Sequence, residues 1–149
     1  MARAAFPVIP ERPRFLTVPE IAELADWLAE SEPVAIRDVG ALRAAALRPS
    51  LDVDGERIYR DEYEQAAALM HAIVTTRPFL GPLNPALGLF AALAALDRNG
   101  IRTSRPDGDY GQRLVGLVEK GLDDVTEIAM HLQQITAGEP WQDPLPPTA

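Results

Sequence analysis

No cysteine occurs among the 149 residues. That absence excludes a disulfide scaffold, a zinc–thiolate site, an iron–sulfur centre and a cysteine nucleophile. A cysteine-free chain suits a reducing compartment, and a cytoplasmic location is expected. No apolar run approaches the ~20 residues that a membrane span needs. The opening MARAAFPVIPERPR also lacks the continuous apolar stretch of a secretory signal. Histidine is scarce: His71 and His131 are the only two. No HExxH or other paired spacing accompanies them, so no metal site is expected. Asp107-Gly108-Asp109 lacks the remaining ligand spacing of a calcium loop. Ser31, Ser50 and Ser104 lie in turn-like contexts without a nucleophile elbow. Positive charge is short as well, 14 basic residues against 22 acidic ones, a net of −8. This argues against broad binding to nucleic acid and against docking on anionic lipid. Two arginine-rich spots, Arg3/Arg12/Arg14 and Arg98/Arg102/Arg105, read as ordinary surface.

What is present is a globular composition, 47% apolar and 24% charged, in a chain long enough for one sizeable core. Of the 14 prolines, seven lie near the two ends. Pro7, Pro10 and Pro13 mark residues 1–14 as an extended N-terminal segment. Pro140, Pro144, Pro146 and Pro147 mark 137–149 as an extended tail. The folded body is then about residues 15–136. Phe6, Val8, Ile9 and Trp141 are available to pin the ends to the body or to a partner.

Inside that body the punctuation is helical. Thr17-Val18-Pro19-Glu20 is a capping box, followed by Ile21, Leu24, Ala25 and Leu28 at helical spacing. Asp38 caps a short helix that ends at Pro49. Residues 51–59 hold Asp54-Gly55 between β-favouring pieces and predict a small hairpin, a flap. Asp61-Glu62-Tyr63-Glu64 resembles another capping box. It opens a helix with Ala66, Leu69, Met70 and Ile73 on one face, stopped by Pro78. Asn84-Pro85 is a helix start, with Asn at the N-cap and Pro at the first helical position. The stretch 85–98 is apolar nearly all round, which predicts a buried central helix. Asn99-Gly100 ends it. Residues 110–120 and 124–135 give two more helices, separated by Gly121. The expected fold is all-α, with a helical bundle around the helix at about 85–98 and one small β-hairpin flap.

The order of these elements carries a resemblance. "FLTVPEIAELADWL", "IRDVGALRAAALRPS", "YEQAAALMHAIVTTRPFLG" and "LFAALAALDRNGI" together resemble the Doc (death-on-curing) branch of the Fic superfamily, over roughly residues 15–135. The resemblance implies a Fic/Doc-like helical domain. It also implies a loop and helix N-terminus reading H-x-F-x-[D/E]-[A/G]-N-K-R. In that motif the histidine is a general base, the acid holds magnesium, and the remaining polar residues cradle a nucleoside triphosphate. Members transfer a nucleotide monophosphate or a phosphate to a protein.

In this chain the matching stretch runs from Arg77 to Pro85, and of the motif only Phe79 is kept. Arg77 stands where the histidine belongs, Gly81 replaces the acid and Pro82 the small residue. Leu83 takes the place of the Asn, Asn84 that of the Lys, and Pro85 that of the Arg. A guanidinium with a pKa above ~12 cannot accept a proton near neutral pH. Without the carboxylate, magnesium loses its ligand. Without the Lys and Arg, the triphosphate loses its charge neutralisation. Neither a nucleotide cofactor nor a metal is therefore expected.

Three readings follow. In the first, the protein retains the Doc-like scaffold as a binding or regulatory platform, with a partner protein or peptide in the groove beside the flap. In the second, it is an enzyme repurposed for different chemistry, for example in a biosynthetic pathway. There Arg77, Gly81 and Asn84 at the helix N-terminus would hold a small anionic ligand, with Arg57 and Arg60 of the flap contributing from the other side. Against this, Arg77 as a cap of the preceding helix and Asn84 as an N-cap are the simpler roles. In the third, it is an active toxin of a toxin–antitoxin pair, transferring phosphate or AMP. The oligomeric state is left open.

Overall fold

In the computed structural model, which describes residues 14–30, 32–103 and 108–142, the Thr17 capping box forms in both directions. Thr17 Oγ1 accepts the Glu20 N–H at 3.3 Å, and the Thr17 N–H donates to Glu20 Oε1 at 3.0 Å. It opens α1, Val18–Ala29. The same carboxylate is gripped by Arg98, whose Nη1 donates to Oε1 at 2.7 Å while Nη2 donates to Oε2. One residue thus starts α1 and ties it to the far end of α4, Asn84–Arg98. Trp27, near the end of α1, meets Phe90, midway along α4, edge to face at 6.0 Å, so the two helices run antiparallel.

Asp38 caps α2, Val39–Leu47, by accepting the Ala41 N–H at 3.0 Å. A single 3-10 turn over Arg48–Ser50 follows at the buried Pro49. The hairpin is β1, Asp52–Val53, antiparallel to β2, Glu56–Arg57. Asp54 and Gly55 at its tip hold φ of 53° and 82°. Two successive left-handed residues match the twist of the strands they join, which is why Asp-Gly is favoured there. Asp61 then caps α3, Glu62–Thr76, by accepting the Glu64 N–H at 2.8 Å. The return arm of this box reaches one residue further back, where Glu64 Oε2 accepts from the Arg60 N–H. Two helices complete the bundle: α5, Gly108–Glu119, and α6, Val125–Ala137, the latter capped by Asp124.

Among the described residues the architecture is six helices with one two-stranded hairpin, an all-α fold. The element at its centre, however, is α3. Nine of its 15 residues are buried, against six of 15 in α4. One side of α3 sends Ala66, Ala67, Met70 and Val74 into a core shared with α4, α5 and α6. Its other side sends Leu69, Ala72 and Ile73 into a second core with α1, α2, Phe79 and Leu87. Its alanines let neighbours approach from several directions. The expectation that 85–98 forms the centre is corrected in this respect: α4 also feeds both cores, through Ala92 and Leu96 and through Leu87 and Ala91, but its outer side stays open, with Phe90 39% exposed. Gly88 sets the close contact between the two. A Cβ there would stand 2.6 Å from Val74 Cγ2 and 3.1 Å from the Met70 carbonyl oxygen.

The expectations for residues 1–13 and 143–149, and those for Ser31, Ser104, Arg105 and Asp107, lie outside the described residues. Within them, no helix is long and apolar enough to cross a membrane.

Candidate functional site

The turn between α3 and α4 is built from its backbone outward. α3 ends on Arg77, which holds φ 49° and ψ 64°, a left-handed conformation uncommon for a residue with a Cβ. The chain reverses there, and Phe79 enters the core at 1% exposure. A β-bridge joins Phe79 to Ile36. The Leu80 N–H donates to the Ala35 carbonyl at 2.9 Å, and the Arg37 N–H to the Pro78 carbonyl at 2.7 Å. The α1–α2 connection therefore splints this turn.

Asn84 closes the turn from the other side. Its Oδ1 accepts the Phe79 N–H at 3.1 Å, and its Nδ2 donates to the Phe79 carbonyl at 2.9 Å and to the Gly81 carbonyl at 3.4 Å. At 2% exposure the side chain is wholly engaged in this work. It is therefore not an N-cap: α4 starts at Asn84 itself, and Leu83 precedes it without a side-chain cap. Gly81, at φ 89°, supplies the left-handed position at the exposed tip. The capping role expected of Arg77 belongs to Arg37. Its Nε donates to the Arg77 carbonyl at 2.7 Å and its Nη2 to the Thr76 carbonyl, placing a cation on the C-terminal carbonyls of α3. The Arg77 guanidinium instead reaches toward Glu119 of α5, 3.8 Å away, with both side chains open to solvent.

Arg57 and Arg60 are not brought to this place. They adjoin the N-terminus of α3, and Arg77 is its C-terminus, about 21 Å of helix away at 1.5 Å per residue. The Arg57 guanidinium lies 5.0 Å from the centre of the Phe15 ring, and its Nη1 is buried without a hydrogen-bond partner. The expected convergence of Arg57, Arg60, Arg77 and Asn84 on one anion does not form. Nor do the residues of the turn fit a magnesium nucleotide. From Arg77 to Pro85 they offer no carboxylate and no lysine, and their one guanidinium faces a glutamate.

Beside the hairpin the surface is apolar. Leu47, Leu51, Val53 and Ile58 are each between 46% and 61% exposed. A shallow groove of about 440 Å³ runs next to them, lined by Phe15, Leu16, Val18, Ala46 and Leu47, with Thr17, Arg43 and Ser50 as polar members. Elsewhere, between α4 and α5, lies a second, more sheltered cavity of about 480 Å³.

Two polar clusters escaped the sequence reading. In the first, Arg48 Nη1 lies 2.7 Å from His71 Nδ1, and Arg48 Nε donates to Tyr59 Oη at 3.0 Å. Arg48 has only donors, so His71 accepts through Nδ1 and is neutral. Burial and then the Arg48 charge push its pKa below the usual histidine value, with Asp123 opposing. In the second, Tyr110 Oη lies 2.7 Å from His131 Nδ1 and donates to Gln134. The Trp141 ring stacks on the His131 ring at 4.9 Å and fixes the chain beyond α6 onto the bundle. The hydrogen bonds of both clusters join residues more than ten positions apart, for which spacing within one helix gives no signal.

No protein-family model matches the chain, and no curated protein matches it.

Proposed function

We propose that this is a Doc-like, Fic-fold protein without the family's phosphoryl- or nucleotidyl-transfer chemistry, acting as a binding or regulatory protein. The observation that carries the reading is the Asn84–Phe79 pairing. Where the family's motif would present a base, a metal ligand and a cationic clamp, this chain spends its polar side chain on closing its own backbone. Phosphoryl transfer rests on charge neutralisation, so a turn without that charge has no means to stabilise its transition state.

The partner proposed is a protein or peptide lying along the hairpin face. The exposed Leu47, Val53 and Ile58 support this choice, since clustered apolar side chains on a surface mark contact sites. A repurposed enzyme would need Arg77 and Asn84 to converge on a ligand, but Asn84 is spent on the Phe79 backbone and the Arg77 guanidinium extends toward Glu119 of α5 instead.

The test is a transfer assay. The full chain is incubated with magnesium and triphosphates labelled at the α or γ position, alone and with a translation factor. The expected outcome is no label on either protein. Label incorporation that disappears on mutation within 77–85 would replace this reading with that of an active toxin.

A further inference from the structure

The sequence of α4 is apolar nearly all round, yet the fold covers only one of its faces. The other side carries the exposed Ala86 and Phe90 and the half-buried Leu89 and Leu93, which, with Pro82 and Pro85, form one wall of the cavity of about 480 Å³. The opposite wall is α5, where Gln112, Val115 and Glu119 fall at positions i, i+3 and i+7 and so share a face. Gly111 brings the walls together, because a Cβ there would stand 2.6 Å from Leu89 Cδ2. Ile135 adds a further apolar side chain. A volume of this size is within the range of small-molecule sites.

The charge of this cavity is one-sided. Glu119 is the sole ionisable residue among those lining it, and no cation lines it. Arg77 approaches that carboxylate only at 3.8 Å, with its side chain 62% exposed, so the pair is open and solvent-screened. An apolar slot with a carboxylate at one end complements an apolar body with a cationic head. It repels a carboxylate or phosphate of the same shape. We infer that the α4–α5 cavity is a binding site for a small amphiphilic amine, whose ammonium group takes Glu119 and whose hydrocarbon lies along Ala86, Leu89, Phe90 and Leu93. This site is separate from the hairpin face and does not depend on the Doc-like reading.

The experiment compares three probes of equal chain length, n-octylammonium, n-octanol and octanoate, by calorimetry on the full chain. Amide chemical shifts map the contact. Octylammonium is expected to bind saturably, with shifts confined to residues 82–93, 111–119 and the neighbourhood of Ile135. Octanol should be weaker, and octanoate should not bind. Glu119→Gln should weaken octylammonium about tenfold, as expected for loss of one charge-assisted contact. Arg77→Ala should strengthen it, roughly two- to fivefold, by removing a weak competitor for the same carboxylate. Both substitutions are at exposed side chains, and melting curves check that each variant is folded. Ala86→Trp should block the slot. Octanoate binding as tightly as the amine, indifference to Glu119→Gln, or no binding of any probe would overturn the proposal.

Discussion

Asn84 and Phe79 form a closed pair: the side-chain amide of one satisfies both backbone polar groups of the other, at 3.1 and 2.9 Å, inside the core. Removing the amide leaves a buried N–H and a buried carbonyl without partners. Asn84→Ala should therefore destabilise the fold by about 2–4 kcal/mol, since each orphaned buried group costs about 1–3 kcal/mol. Urea unfolding measures this. A change of a few tenths would mean that water enters the turn and that the pair is not what closes it.

Glu20 answers to both the α1 cap and Arg98. The Arg98 hydrogen bonds, then the Thr17 backbone N–H, hold its pKa at about 2, below the ordinary 4.5. A carboxylate with a depressed folded pKa stabilises the native state above its unfolded pKa, and that stability is lost as pH falls toward the folded value. The window is thus from about pH 4.5 down to about 2. The side chains are partly exposed, so the contribution is modest, about 1 kcal/mol or less. Arg98→Met should move the Glu20 titration back toward ordinary and flatten that part of the stability profile. NMR titration of the Glu20 carboxyl reads it directly.

Gly88 and Gly116 are both helical, and the structure separates their fates. Gly88→Ala drives a methyl against Val74 and the Met70 carbonyl and should cost about 1–3 kcal/mol through overpacking. Adding Val74→Ala should recover part of that loss. At Gly116 nothing lies within 4 Å of an added Cβ. Gly116→Ala should stabilise by about 0.5–1 kcal/mol through helix propensity alone. Thermal melts of the three variants decide it.

The burial of His71, with Arg48 beside it, makes stability depend on pH near neutrality. His71 is held neutral in the fold, mainly by burial and then by Arg48. Its folded pKa is lowered, so between that value and the unfolded 6.5 the unfolded chain binds more protons than the native one. Stability is therefore full above about pH 6.5 and falls as pH drops below it. His131, lowered chiefly by burial, acts in the same direction. Arg48→Met should raise the His71 pKa and release the tie to Tyr59. The His71 ring shifts across pH report the first effect, and amide exchange in 51–59 reports the second.

The local signals were legible in the sequence because they are local. Thr17, Asp38, Asp61 and Asp124 cap the helices they precede, and Asp54-Gly55 turns the hairpin. These outcomes are decided within four residues of the signal. What was not legible was decided by packing. Composition pointed to 85–98 as the central helix. Centrality instead went to α3, whose alanines admit neighbours on several sides, a property that reads as weak apolarity along the chain. Asn84 followed by proline has the form of an N-cap, yet the Phe79 backbone competes for the same amide and wins in the dry interior. Arg37 caps a helix that ends 40 positions away, and only tertiary structure brings the two together.

The most direct test of the central claim, that the nucleotide-handling machinery is gone, is a calorimetric titration of the full chain with ATP in the presence of magnesium. The expected heats are no different from dilution, with no binding tighter than about 1 mM. Magnesium-dependent binding in the micromolar range, abolished by substitutions between Arg77 and Pro85, would contradict that claim.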